Sequence, residues 1–336
     1  MAEKRFGKQT IKLSNPPSII STATIVGPAE GKGPLKDYFD QILEDDKWGQ
    51  ESWEKCEAKL QEEAIRMALM NASLSEGSVD YLFAGDLLNQ IISSSYAARQ
   101  LSIPYFGLYG ACSTMTESLS LGSMAVDGGF ADNVVCVTSS HFSTAERQFR
   151  FPLEFGSQRP FSSQRTVTGA GACIVSSVGN GPYVTYVTTG RVIDAGIIDA
   201  NNMGAAMAPA AVDTIEAHFR DLNRDPSYYD IIATGDLGKI GHDIAEEILK
   251  KDGFKFQEGV FKDCGKLIYK KDQPVFSGGS GCACSATVTY GHFFKEMKKK
   301  KLNKILVVAT GALMSPMSYQ QKESIPSVAH AVSIEA

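Results

Sequence analysis

Asp80-Tyr81-Leu82-Phe83-Ala84-Gly85-Asp86-Leu87 and Asp230-Ile231-Ile232-Ala233-Thr234-Gly235-Asp236-Leu237 are two versions of one phrase: an acidic residue, an apolar run of strand length, then Gly-Asp-Leu. Two further matches follow in the same order. Ala111-Cys112-Ser113 returns as Ala283-Cys284-Ser285, and Asn133-Val134-Val135-Cys136-Val137-Thr138 resembles Lys304-Ile305-Leu306-Val307-Val308-Ala309. Three matches in one order argue for a duplicated βαβ-type unit, with a first half over residues 1–180 and a second over 181–336. The spacing between matches grows along the chain. The Lys-, Phe- and Gly-rich stretch 253–272 reads as the insertion responsible.

Strand-length apolar runs at 81–84, 103–108, 134–138, 231–233 and 305–309 alternate with helical stretches, the pattern of an α/β fold with strands buried on both faces. Leu60, Ala64, Met67 and Ala68, with Lys and Glu between them, give 51–71 the spacing of an amphipathic helix. A second such helix covers 243–251. The composition, 43% hydrophobic and 21% charged over 336 residues, is that of an ordinary globular chain able to bury a large core.

A net charge of -5 argues against nucleic acid as a partner, because releasing counterions from phosphates needs a concentrated positive surface. No apolar run reaches the roughly 20 residues that span a bilayer, and residues 1–13 hold no stretch of signal-peptide length. A soluble protein inside a cell is expected. Seven cysteines without regular spacing point to free thiols rather than a disulfide framework or a zinc site. No metal site and no cofactor is expected.

Cys112 follows an apolar run and opens a helix toward Asp127, where the positive end of the helix would favour thiolate. The residues alone leave two readings, a nucleophile or a small buried cysteine at a strand–helix junction. The run 276–284 is glycine-rich but lacks the Gly-Lys-Ser/Thr ending of a phosphate loop. Lys298 to Lys301 form the one basic cluster, either a solvated helix end or a contact for anionic lipid or an acidic partner.

The chain from about residue 18 to its end resembles the thiolase superfamily, especially the ketoacyl-acyl-carrier-protein synthase III branch, whose catalytic cysteine sits in an Ala-Cys motif matched by Cys112. Within it, the segments 192–197, 202–210 and 278–285 resemble the stage V sporulation protein AD family. The resemblance implies a thiolase-like fold of two duplicated βαβαβ-type halves in five αβαβα layers, and a homodimer. That family is implicated in loading dipicolinic acid, pyridine-2,6-dicarboxylate, into the developing spore. By the same resemblance, the ligand could arrive as its calcium chelate, the partners are membrane subunits of a spore transport complex, and the place is the forespore side of the spore inner membrane.

The synthases carry a histidine where this chain has Asp236, and an Asn or His in the glycine-rich turn where 277–285 offers only Gly, Ser, Cys and Ala. Losing one oxyanion donor costs on the order of 10²–10³ in rate, and an ionised Asp236 would oppose the transition-state charge. Binding without catalysis is therefore expected. The alternative is an acyltransferase using Cys112 on a coenzyme A or carrier-protein thioester, and a third reading is a scaffold with a vestigial pocket. For a dianionic ligand the candidate contacts are Cys112, Ser139, Ser140, His141, Arg191, Asp194, Asp236 and Lys239, with Lys239 the favoured cation. Four of these also have an ordinary reading: a solvated lysine for Lys239, a cap or turn for Asp194 and Asp236, and a satisfied strand-end polar group for His141.

Overall fold

The structure is a computed structural model that describes residues 3–149 and 159–336. Ten strands carry the architecture: β1 (Ser18–Val26), β2 (Tyr81–Gly85), β3 (Tyr105–Gly107), β4 (Asn133–Ser140), β5 (Gly169–Ser176), β6 (Tyr183–Thr189), β7 (Ile231–Thr234), β8 (Phe261–Asp263), β9 (Lys304–Ala312) and β10 (Ser327–Glu335). In space they run β3-β2-β4-β5-β1 and then β6-β10-β9-β7-β8. The two runs repeat the same pairings. The two outer pairs of each are parallel and the two inner pairs antiparallel. They meet where Ser18 pairs with Tyr183.

The helices repeat too. Helices α1 (Trp53–Asn71) and α5 (Met203–Leu222) precede β2 and β7, and α2 (Ile92–Ala98) and α6 (Gly238–Lys251) follow them. Helix α3 (Thr114–Asp127) follows β3 and, after the eight-residue α4 (Phe142–Phe149) in chain order, α7 (Cys282–Thr287) follows β8. Helices α3 and α7 touch each other, α3 packs on both sheets and α7 on the first, while α1 packs on the first sheet and α5 on the second, giving the five layers αβαβα.

Period-2 alternation explains why the strands read as unbroken apolar runs. Val134 and Cys136 face the central core with Met115, Leu119 and Tyr290, while Val135 and Val137 face the outer core with Leu60 and Ile65. In the second half Ile305 and Val307 face the centre, and Leu306 and Val308 face the outer core with Ile215 and Phe219. Helix α1 is capped by Ser52, whose side chain accepts from the Lys55 amide.

The stretch 253–272 is not a plain insertion. It contains β8, the counterpart of β3, with Phe261 and Asp263 buried. Of the extra residues of the second half, six lie between β7 and β8 and fifteen between β8 and β9, the latter including the short helix Cys264–Leu267 and the connection to Gly281. A three-residue edge strand of Phe-Lys-Asp carries too little apolar signal to be read from sequence. The expected division after residue 180 falls in the connection between β5 and β6, and the two halves share the central core.

Candidate ligand cavity around Cys112

Cys112 sits in the β3–α3 connection, two residues before the helix begins. The turn is held by its own side chains: Ser113 Oγ donates to Gly110 O at 2.7 Å and Thr114 Oγ1 to Ala111 O at 2.6 Å. Ala111 takes a left-handed φ of 50°, unusual for a residue with a Cβ. This turn brings Cys112 to the floor of a cavity of about 620 Å³, its mouth included. Leu87, Phe149, Met203 and Met314 supply apolar wall, and Glu146, Gln164, Thr166, Asn201 and Ser280 supply polar atoms.

Behind Cys112 stands Asp236, at the end of β7. Its Oδ2 accepts from the Gly281 amide at 3.0 Å, and its Oδ1 is buried with no well-formed hydrogen bond. Burial pushes the Asp236 carboxyl up to about 8, so it is mostly protonated at neutral pH. An ionised carboxylate at this place was the sequence expectation, and burial overturns it. The Cys112 thiol is likewise driven well above its ordinary value, first by burial and then by Asp236 and Cys282. The shift runs opposite to the helix-end activation expected for Cys112, because burial outweighs it. All seven cysteines are buried and unpaired.

The other candidate residues do not gather in this cavity. Ser139 Oγ donates to Glu57 at 3.2 Å and accepts from Gln61 Nε2 at 2.8 Å, one layer back under α1. Ser140 Oγ donates to Val167 O at 2.7 Å. His141 donates from Nε2 to Asp46 O at 2.7 Å and accepts the Ser143 amide on Nδ1, so both nitrogens are committed and burial lowers its pKa. Arg191 is exposed and paired with Asp213, and Asp194 is exposed and accepts from Ser324 and the Gly196 amide. Lys239 is exposed on α6, outside the cavity lining. Of the eight candidates, Cys112 lines the cavity and Asp236 backs it; the shared pocket for all eight is corrected.

Sequence reading missed Gln164, Glu146 and Phe149. Gln164 Nε2 donates to Asp236 O at 2.5 Å and Gly279 O at 3.0 Å, tying the floor together. No periodicity marks it. Ser280 lies in the glycine-rich turn already singled out, on the cavity wall beside Cys112. Glu146 pairs with Arg159 at 2.6 Å. Among the described residues, no group of three or more His, Cys, Asp and Glu is placed to hold a metal, and no helix is long and apolar enough to cross a membrane.

Two layers of sheet around buried helices, with a cysteine turn at the sheet ends, define a thiolase-like protein. Solved structures of that fold match nearly the whole chain. OleA of Xanthomonas campestris in a cerulenin-bound crystal aligns with a TM-score of 0.64 at 13% identity, over 99% of each chain. The 3-oxoacyl-[acyl-carrier-protein] synthase III of Aquifex aeolicus VF5 aligns with a TM-score of 0.59 at 13% identity, over 95% of this chain and 100% of that one. The chain belongs to the stage V sporulation protein AD (SpoVAD) family, which it matches over residues 7–335. It is 49% identical over 332 residues to the stage V sporulation protein AD of Bacillus subtilis (strain 168), covering 99% of this chain and 98% of that protein.

Proposed function

We propose that this protein binds dipicolinic acid, free or as its calcium chelate, in the cavity over Cys112 during spore formation, without transforming it. The observation that carries the reading is the state of the floor: a neutral buried thiol backed by a neutral carboxyl, where acyl transfer needs an activated sulfur and aimed donors. A largely apolar cavity with a few polar groups suits one flat aromatic ring carrying carboxylates. On this reading the ligand passes to membrane subunits of a transport complex on the forespore side, and the protein acts as a homodimer.

Isothermal titration of the purified chain with dipicolinic acid, with and without calcium, tests it. Saturable one-site heat, lost when Ala200→Leu narrows the cavity, supports the reading. No heat at millimolar ligand, or steady hydrolysis of an acyl thioester that depends on Cys112, sinks it in favour of the enzyme.

A further inference from the structure

The duplication supplies an internal control for Asp236. Its counterpart Asp86 follows β2 and is also buried, but both of its carboxyl oxygens are engaged: Oδ1 accepts the Leu88 amide at 2.8 Å, and Oδ2 accepts the Ser94 amide at 2.8 Å and Ser94 Oγ at 2.6 Å. Asp236 has one backbone bond, from Gly281, and an Oδ1 that no backbone amide or hydroxyl reaches, with the Cys112 thiol as its neighbouring group. A buried polar atom without a partner costs about 1–3 kcal/mol, and a duplicated fold that satisfies the same carboxyl in one half had a way to avoid that cost in the other. The unsatisfied oxygen therefore marks a role at the cavity floor.

We propose that Asp236 is a positioning residue: its Oδ1 carries a proton toward Cys112 Sγ, which turns the Cys112 S–H into the cavity as a donor to a ligand carboxylate. The groups facing Asp236 are compatible with a neutral carboxyl. From the β3–α3 turn comes the Cys112 thiol, from α7 the thiols of Cys282 and Cys284, from the end of β8 the Asp263 carboxyl, and from the residue after it the Cys264 thiol. None is a cation that would hold Asp236 ionised. Asp263 itself accepts the Leu237 and Gly238 amides at 2.8 and 3.1 Å, and its charge adds to the burial that keeps Asp236 neutral. Once Asp236 ionises, the S–H turns back to the carboxylate and a negative charge stands behind the ligand's own.

The inference rests on the cavity binding a carboxylate ligand, and the test separates the two. Dipicolinate titrations at pH 7 and pH 9 compare the natural chain with Asp236→Asn and Asp236→Leu. With the carboxyl titrating near 8, the natural chain should bind about tenfold more weakly at pH 9 than at pH 7, because the competent fraction falls by that factor. Asp236→Asn, which keeps a donor and cannot ionise, should bind with one affinity at both pH values. Asp236→Leu should be weaker than Asp236→Asn at pH 7. Equal affinity of the natural chain at both pH values, or the same pH dependence in Asp236→Asn, overturns the role of Asp236 while leaving the cavity reading intact. Absence of binding to the natural chain at pH 7 removes the cavity reading itself.

Discussion

The backbone of Gly311 in β9 lies so close to the Gly110 carbonyl that a Cβ on Gly311 would stand 1.8 Å from that oxygen and 3.1 Å from the Ser113 amide nitrogen. The second half thus presses directly on the turn that presents Cys112. Gly311→Ala must push that turn away, because the opposing atoms are backbone and cannot rotate aside. Overpacking of this kind costs about 1–3 kcal/mol. A fall in Tm together with weaker dipicolinate binding is expected. An unchanged Tm would mean that the two halves are not coupled through this contact.

How far the sequence reveals this arrangement depends on which strand is asked. Strands buried on both faces by large side chains, such as β4 and β9, are plain as apolar runs. Strands β5 and β6 are not: Gly169-Ala-Gly-Ala and Tyr183-Val-Thr-Tyr interleave small or hydroxyl residues where helices pack close or neighbouring segments cover the sheet. Cys112 was legible because its turn has a recognisable motif. Gln164 and Glu146 were not, since they reach the cavity from segments far apart in the chain and share no spacing. Lys239 was misjudged for a physical reason. Asp236 precedes α6, which begins at Gly238, so helical spacing does not carry from it to Lys239, whose side chain is exposed in the first turn of that helix.

Because Lys239 and Arg191 stand outside the cavity lining, Lys239→Ala and Arg191→Ala should leave the Kd for dipicolinate within about twofold, as expected for surface changes. Ala200→Leu, at a buried position on the cavity wall, should weaken it by tenfold or more. A large loss in Lys239→Ala, measured by titration calorimetry, would move the site toward α6.

Cys112 should react slowly with iodoacetamide. Its thiol is held well above the ordinary value by burial and by Asp236, and only thiolate reacts. Peptide-resolved mass spectrometry at pH 7.5 should find alkylation of Cys112 slower than that of a free cysteine, whose thiol titrates near about 8.5. Faster labelling than the free thiol would restore the case for an activated nucleophile.

His218 should stay neutral far into acid. It is buried between Thr188 Oγ1, at 2.8 Å from Nδ1, and Tyr229 OH, at 2.7 Å from Nε2, and burial lowers it to about 3. A base depressed on folding contributes stability that is complete above its unfolded value near 6.5 and lost as pH falls toward the folded one, at up to about 1.4 kcal/mol per pH unit. Its imidazole NMR shifts should therefore be flat from pH 8 to pH 4.5 while the chain remains folded. Titration near pH 6 would show that water reaches this network.

Glu57 poses the opposite case. It is fully buried on α1, accepting from Ser139 Oγ at 3.2 Å and Thr144 Oγ1 at 2.7 Å, and burial raises its carboxyl well above the usual range, with Asp86 adding to the effect. A carboxyl raised on folding contributes stability that is complete below its unfolded value near 4.5 and is lost as pH climbs toward the folded one. Glu57→Gln keeps the shape and a hydrogen-bonding end but has no proton to lose. Urea unfolding at pH 5 and pH 8 should then give a smaller loss of stability on raising pH for Glu57→Gln than for the natural chain. Glu57→Ala leaves the two hydroxyls facing a void and should cost about 2–4 kcal/mol at both pH values. If Glu57→Gln and the natural chain lose the same stability between pH 5 and pH 8, Glu57 is ionised in the folded protein, and the layer beneath the Cys112 floor is charged rather than neutral.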